Sequence, residues 1–515
     1  MKYFVPAWQN ELDDWAHAVD RLKFDDAINN LKIFMRNDAQ CGVIVSEYVP
    51  QLTAQLNEAG LAPEKLLTVF DLVQGVTDPR ARQILDLPDF NWPRGTWFEY
   101  DPFRVVAYCD DQKLAQVIFN ARGQILRIER FEHDKHFQDL VMDSRGWLSC
   151  LQNYDEQEQL VERVFLDPAG SWRIKERIAD GRVFVNPWFA KDFNAPAYQD
   201  RQALIDEFLP RLIKQNLDAQ QDEIIFTAAD QQRARLSFFN GFKIAAVISR
   251  WHAFEEFLPR LNDFTGQLVT DSAAVDARVH ELLGNERETL LLPIFSAQFH
   301  LGHSQEQLEQ TILLVVNDLT PAELRAVLAR LLARLDQARF NENLKLVSYD
   351  DDQLSRAEET IKELAQDHYP LIMINPTPEQ LKPNEDLQDA DLTPDMEELS
   401  AAQPIPIYTK RIAQPKDLLA MLDSTRVLVD LSMAPDDFIQ MAAVSVGVPQ
   451  INRTASELVT HQQNGLQIKQ ISQLDQALDY YLGSMKHWNE ALVSSVAMIN
   501  RYSDEMIMNA WQNLW

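Results

Sequence analysis

Between residues 97 and 198 one pattern recurs three times, and it restricts the fold more than any other feature of the chain. The segments are Val117-Ile-Phe-Asn-Ala-Arg-Gly-Gln-Ile-Leu126, Leu140-Val-Met-Asp-Ser-Arg-Gly-Trp-Leu148 and Val164-Phe-Leu-Asp-Pro-Ala-Gly-Ser-Trp172. Each is an apolar run, then Asn or Asp, two residues, a glycine and a second run. Asn and Asp open tight turns by bonding their own backbone, and glycine takes the positive φ that closes them. The glycines Gly123, Gly146 and Gly170 stand 23 and 24 residues apart. The pattern predicts a meander of antiparallel hairpins, one module of residues 97–198 inserted into a different architecture.

On either side of that module the pattern changes. In residues 1–96, Tyr3-Phe-Val5, Gly42-Val-Ile-Val45 and Leu67-Thr-Val-Phe70 are predicted strands, with helices over Asp25 to Met35 and Gln51 to Ala59. Residues 199–298 supply Glu223-Ile-Ile-Phe226, Lys243 to Ile248, Gln267-Leu-Val-Thr270 and Leu290 to Phe295 as strands. Residues 299–485 restart the alternation with Thr311 to Val316, an amphipathic helix from Pro321 to Phe340, and Leu344-Lys-Leu-Val347. Strand and helix in alternation imply parallel sheets, so the chain is read as α/β with two Rossmann-like domains, the first split by the meander. Residues 486–515 form one long helical pattern rich in Trp.

The 515 residues, 46% of them hydrophobic, suffice for two or three cored domains. With 48 basic against 78 acidic residues the formal charge is −30. That argues against nucleic acid, which is bound through Lys and Arg that displace counterions, and against more than peripheral association with an anionic membrane. It favours solubility or a basic partner. Cys41, Cys109 and Cys150 lie far apart, which suits a reducing cytosol. The opening Met1-Lys-Tyr-Phe-Val-Pro6 reads as a strand, with no signal-peptide pattern. No run reaches the ~18 apolar residues of a membrane span. A cytoplasmic protein is expected.

From Ile374 to Ile405 the composition turns to Pro and acid. Pro376, Pro378, Pro383, Pro394 and Pro404 alternate with Glu379, Glu385, Asp386, Asp389, Asp391, Asp395, Glu397 and Glu398. Prolines and like charges oppose a packed core, so 376–404 is read as an acidic loop or a docking segment for a basic partner.

Catalytic signatures are scarce. No P-loop, no Gly-x-Gly-x-x-Gly after a strand and no Gly-x-Ser-x-Gly elbow is present. The first strand runs into Pro6-Ala-Trp8, where Trp8 cannot serve as a phosphate-cradling glycine turn. His300 with His303, and His133 with His136, have His-x-x-His spacing, but two imidazoles make half a zinc site at best, so no metal is expected. Asp350-Asp-Asp352 reads as a solvated loop after a strand.

One segment remains, Thr425 to Leu466. An apolar run, Arg426 to Leu431, leads into Ser432-Met-Ala-Pro-Asp-Asp-Phe438, a helical pattern, Gly447-Val-Pro449 and Asn464-Gly465-Leu466. Folding alone accounts for every piece. Pro435, Asp436 and Asp437 suit a helix N-terminus, Gly447 a left-handed end, and Asn464-Gly465 a tight turn. The helix N-terminus near Ser432 suits an anion, although Asp436 and Asp437 would repel one.

This segment resembles the nucleotide-sugar half of a two-Rossmann (GT-B) retaining glycosyltransferase. Members of that class carry a glutamate at each of two positions, roughly two helical turns apart. Counting back from Gly447, those positions fall on Ala434 and Ala442. The resemblance therefore implies a GT-B-like fold without the catalytic acids, with Ser432, Gly447, Asn464 and Gly465 as vestigial ligand contacts and no cofactor.

The chain as a whole resembles the first accessory secretory protein family of the accessory Sec system of Gram-positive bacteria. The likeness is carried by Met1-Lys-Tyr-Phe-Val-Pro-Ala-Trp8, Leu22-Lys-Phe-Asp-Asp26, Tyr48-Val-Pro-Gln-Leu52, Phe70-Asp-Leu-Val-Gln-Gly75, Phe98-Glu-Tyr-Asp-Pro-Phe103, Leu301-Gly-His-Ser-Gln305 and Gly447-Val-Pro-Gln-Ile451, with the meander turns Asp143 to Gly146 and Asp167 to Trp172. It implies a non-catalytic export factor that assembles with two other accessory secretory proteins. The complex would engage a glycosylated serine-rich-repeat adhesin and pass it to the accessory Sec motor ATPase and channel. The fold class would place residues 486–515 as a helix crossing back to the first half. Trp147 and Trp172 are candidate sugar or partner contacts, against the reading that both are core residues. Two alternatives stand beside this one: an active GT-B glycosyltransferase modifying the adhesin, and a structural partner that activates an unrelated glycosyltransferase.

Overall fold

The computed structural model describes residues 1–8, 25–78, 80, 83–101, 104–120, 122–261, 264–284, 286–337, 342–366, 368–381 and 404–515. The core of the acidic segment, residues 382–403, lies outside the described residues, as does most of Leu22-Lys-Phe-Asp-Asp26. The described chain divides into two compact units. The first is Met1–Thr270 with Arg278–Leu290, and the second is Asp271–Ala277 with Leu291–Trp515.

The first unit begins with strands β1 (Lys2–Val5), β2 (Cys41–Val45) and β3 (Lys65–Thr68). The meander follows as β4 (Trp97–Tyr100), β5 (Arg104–Cys109), β6 (Gln112–Phe119), β7 (Ile125–Glu132), β8 (Lys135–Asp143), β9 (Trp147–Tyr154), β10 (Leu160–Leu166), β11 (Trp172–Arg177), β12 (Val183–Val185) and β13 (Ala197–Tyr198). The α/β pattern then resumes with β14 (Glu223–Thr227), β15 (Lys243–Ile248), β16 (Gln267–Thr270) and the short β17 (Leu290–Leu291). These strands order as β17-β16-β15-β14-β1-β2-β3, with β16 to β3 parallel, while β13 to β4 form a separate ten-stranded sheet in strict sequence order. This is a Rossmann-like sheet with an inserted antiparallel meander.

The repeated turns form as their residues dictate. The carbonyls of Asn120, Asp143 and Asp167 accept from the N–H groups of Gly123, Gly146 and Gly170, each at 2.9 Å. The side chains of the same three residues accept further turn N–H groups. The three glycines have φ of 77°, 101° and 89°. Gly146 is required twice over, since a Cβ there would lie 2.0 Å from the carbonyl oxygen of Gln83.

Buried polar bonds fasten the meander to the first parallel sheet. Arg145 donates to Asp71 at 2.7 and 2.9 Å as well as to Asp143. Gln74 Nε2 donates to the carbonyls of Ser149 and Leu166, Tyr48 donates its hydroxyl to Ser149, and Gln51 donates to the carbonyl of Met142. Tyr48, Phe70 and Phe165 close the joint as a ring cluster with centroids 4.9–5.4 Å apart.

The second unit is a parallel sheet of β18 (Gln310–Val315), β19 (Glu342–Ser348), β20 (Ile372–Ile374), β21 (Ile405–Arg411), β22 (Thr425–Asp430), β23 (Gln450–Asn452) and β24 (Gly465–Gln467), ordered β20-β21-β19-β18-β22-β23-β24. Successive side chains of a strand point to opposite faces. Ile312 and Leu314 therefore join one apolar cluster with the helix Pro321–Gln337, and Leu313 and Val315 join the other with the helix Asp437–Val446. Both faces are buried, as in other parallel sheets covered by helices.

Three expectations need correction. The strand expected over Leu67–Phe70 stops at Thr68, whose hydroxyl accepts from the N–H of Asp71 and caps a short helix, Val69–Val73. The run from Leu290 to Phe295 yields only the two residues of β17. The single C-terminal helix is two, Met485–Arg501 and Asp504–Gln512. Ser503 breaks it by accepting from the N–H of Met506, the local competition that makes serine a helix-starting residue.

Candidate functional site

In an open parallel sheet, ligands bind beyond the carboxyl ends of the strands, and the segment singled out in the sequence lies there in the second unit. β22 ends at Asp430, whose carboxylate is fully buried. Ser432 donates both its hydroxyl, at 2.6 Å, and its N–H, at 3.1 Å, to one oxygen of that carboxylate. Burial pushes the Asp430 carboxyl up from the ordinary range, against the pull of the Ser432 bonds. Met433 and Ala434 are exposed. Asp436 then accepts the N–H of Ile439 at 2.9 Å, and Asp437 begins the helix. The N-terminus of this helix is thus capped from within and carries negative charge where an anionic ligand would need the opposite.

The far end of the frame is set by Gly447, at φ 80°, whose N–H reaches back to the carbonyls of Ala443 and Val444. A Cβ on Gly447 would lie 2.3 Å from a Leu492 methyl. Ala442 is buried in the apolar cluster that holds Leu428, Ile439 and Val446.

Asn464 lies in the expected turn, over residues 462–464, where the Gln462 N–H donates to the Gly465 carbonyl at 2.8 Å. Asn464 is buried, donates to the carbonyl of Leu458 at 2.7 Å and accepts from the N–H of Thr460 at 2.8 Å, so it ties a loop from inside. The positive φ of 60° belongs to Gln462. Gly465 opens β24, where a Cβ would lie 2.5 Å from the Gln450 carbonyl oxygen. It is glycine for lack of space.

Around this frame lies a set of buried polar side chains that sequence reading missed. Asp430 and Asn452 are cross-strand partners. Asp430, Gln440, Gln450 and Asn452 are each fully buried. One oxygen of Asp430, the Gln440 amide nitrogen, the Gln450 amide oxygen and both amide atoms of Asn452 have no hydrogen-bond partner among the described residues. Buried atoms of this kind are met by internal water or by a small polar guest. No pattern in the sequence marks them, because nothing local shows that a Gln or Asn is buried.

A second missed group sits at the carboxyl end of the first sheet. Asp25 caps the helix Asp26–Arg36, Thr227 ends β14, and His252 follows β15. His252 Nε2 lies 2.9 Å from one Asp26 oxygen and 3.5 Å from Asp25, while Thr227 donates to the other Asp26 oxygen at 2.9 Å. These are the only three His, Cys, Asp or Glu residues grouped closely enough to hold a metal among the described residues. Burial alone would push the imidazole down, but its bonds to Asp25 and Asp26 hold it up at about 10. The proton is thus kept, and the group is organised as a buried imidazolium between two carboxylates.

Comparison with known proteins decides the family. The family model described as an accessory Sec system protein, the first of that series, matches residues 1–515. The chain belongs to this accessory Sec system protein family. The family's Streptococcus gordonii protein is 28% identical over 541 residues, covering 99% of this chain and 98% of its own. Among solved structures, the glycosylation-associated protein complex of Streptococcus agalactiae contains a chain with TM-score 0.78 and 23% identity over 100% of both. Accessory secretory proteins 1, 2 and 3 of Streptococcus pneumoniae give TM-score 0.77 and 21% identity over 100% and 98%. The pneumococcal O-GlcNAc transferase GtfA, solved with UDP and GlcNAc, gives TM-score 0.69 and 12% identity over 99% and 97%. The fold is therefore GT-B-like, as two Rossmann-like domains with an inserted meander imply.

The remaining candidates of the family member fall into place singly. Trp147 is only 5% exposed and lies under the Arg145 guanidinium, so of its two readings it takes that of a core residue and offers no open stacking face. Large aromatics gain most by burial. Trp172 is half-buried, with Lys175 over its ring. His133 occupies a positive-φ hairpin position at 51°, His136 pairs with Asp139 at 2.6 Å, and His303 pairs with Asp423 at 3.0 Å. Asp350 caps the helix Asp351–Ala365. No described helix is long and apolar enough to cross a membrane.

Proposed function

We propose that this chain is a non-catalytic assembly subunit of accessory Sec export. It works in the cytosol with two further accessory secretory proteins, binds a glycosylated serine-rich-repeat adhesin and helps deliver it to the export motor ATPase and channel. The family supports the export role, and the solved complexes of proteins 1, 2 and 3 support the partner number. The observation that carries the non-catalytic part is the donor-side frame. Ala434 and Ala442 stand at the two positions where the GT-B resemblance calls for carboxylates, Ser432 is turned inward onto Asp430, and Asp436 caps the helix end. Ser432, Gly447, Asn464 and Gly465 are then remnants of a donor site, now spent on folding.

The test has two parts. Purified protein incubated with UDP-GlcNAc and other nucleotide-sugars is expected to give neither hydrolysis nor transfer. Turnover that disappears on changing a residue of this frame would establish the competing reading, an active GT-B transferase, which the fold itself favours. Affinity capture from cytosol is expected to retain two accessory secretory proteins. Retention of a glycosyltransferase alone would assign the chain as an enzyme activator instead.

A further inference from the structure

Of the tryptophans on the meander strands, the one left exposed is Trp97, not the candidates Trp147 and Trp172. β4 is the outermost strand of the ten-stranded sheet. Its Trp97 stands opposite Tyr108 of β5, and the two rings stack with centroids 4.6 Å apart and planes 17° from parallel. Trp97 nevertheless remains 48% exposed. One ring face is taken by Tyr108, and the sheet ends at β4, so the exposed area is the ring's other face and its edge.

The ring also stands at the end of a run of cross-strand neighbours. Tyr108 faces Lys113 of β6 across the strands, and the Lys113 ammonium sits 3.6 Å over the Phe131 ring of β7. Phe131 meets His136 of β8 at 5.4 Å, and His136 meets Tyr154 of β9 at 4.2 Å. Buried Asp139 fixes that end, accepting the Tyr154 hydroxyl at 2.9 Å and pairing with His136. Cross-strand pairs are the units that stiffen a sheet face, and here they run through six consecutive strands to end at Trp97.

We propose that the outward face of Trp97 is a stacking subsite for a neutral pyranose, with Glu99 beside it to accept a sugar hydroxyl. A pyranose presents a flat patch of C–H groups rimmed by hydroxyls. It matches a half-exposed aromatic ring, whose negative face attracts C–H hydrogens. Glu99 is two residues along β4, hence on the same face of the sheet, and is exposed. The net charge of −30 disfavours anionic guests, which selects a neutral sugar. The site rests on the reading of this chain as a binder of a glycosylated protein and names the part of that partner it takes, a neutral sugar carried on serine.

The experiment titrates the full chain with a serine-rich peptide carrying O-linked N-acetylglucosamine, and with the same peptide bare, followed by calorimetry and by Trp fluorescence. Binding of the glycopeptide alone is expected. Trp97→Ala should weaken it roughly threefold to tenfold, the range an aromatic stacking contact supplies. Trp97→Phe should restore part of the loss, and the melting temperature should stay within about 2 °C, since the ring lies on an exposed edge. Equal binding of the bare peptide would assign β4 as a peptide-docking edge and overturn the proposal, as would an unchanged affinity in Trp97→Ala. Capture of the two export partners by wild type and Trp97→Ala runs alongside. If wild type captures both but ignores the glycopeptide, the subsite fails and the export reading stands. If glycopeptide binds but no partner is captured, the export reading fails alone.

Discussion

The two parallel sheets share a plan and differ in what closes their carboxyl ends. In the first, the carboxylates of Asp25 and Asp26 share one imidazolium, His252, with Thr227 holding the remaining Asp26 oxygen. In the second, the single carboxylate of Asp430 has no cationic partner among the described residues, takes both its Ser432 bonds on one oxygen and is ringed by amides; burial raises the pKa of Asp26 and Asp430 alike. The contrast teaches that a Rossmann-like sheet can be finished either with a buried ion pair or with neutral polar groups. The first makes that end of the fold sensitive to charge and pH. The second makes it depend on packing and backbone geometry.

The sharpest break of this contrast is Asp26→Ala. Removing Asp26 leaves the buried imidazolium with Asp25 alone, 3.5 Å away, and Thr227 without its acceptor, so a loss of about 3 kcal/mol is expected, read as faster amide exchange in the helix Asp26–Arg36 and a lower denaturation midpoint. Gly447→Ala tests the second sheet through its backbone. A left-handed position and a Cβ 2.3 Å from Leu492 should together cost about 2 kcal/mol, confined to exchange around Asp437–Val446.

Acidity then separates the two ends. His252 holds its proton to about pH 10, against an ordinary value of 6.5, so between those values the folded chain binds more protons than the unfolded one. The stability this pair supplies is complete below about pH 6.5 and is lost as pH rises toward 10, on the order of 1–3 kcal/mol. A His252→Gln variant should lose that slope, and an unchanged slope would show that other groups set it. The smallest effect is reserved for Asp430→Asn. Its burial already favours the uncharged form, so the change should stay within about 1 kcal/mol. A loss as large as that of Asp26→Ala would erase the contrast.

Local chemistry was legible in the sequence, and long-range chemistry was not. Asn120, Asp143 and Asp167, each followed by its glycine, could be read as hairpin turns because all the needed groups lie within five residues. A fourth turn of the same build escaped. Asp155 accepts the N–H groups of Gln157 and Gln159 and its carbonyl takes Glu158, but Glu158 itself stands at φ 58° where the pattern has glycine. The frame from Arg426 to Gly447 was likewise readable as one strand–helix unit. Its neighbours Gln440, Gln450 and Asn452 were not, since their importance lies in burial alone. The pair of Asp26 and His252 is 226 positions apart and leaves no trace in any window. Gly465 was recognised as a special residue for a reason that proved different, steric room in place of backbone freedom.

The joint between the meander and the first sheet carries a consequence of its own. Tyr48, Gln51, Asp71 and Gln74 all belong to the α/β part, yet each completes its hydrogen bonding on Met142, Arg145, Ser149 or Leu166 of the inserted part. Excising residues 97–198 would therefore leave four unsatisfied side chains and the Tyr48–Phe70 rings open to water. The inserted module thus serves as a buttress, and a shortened version of this protein should be insoluble before it is inactive.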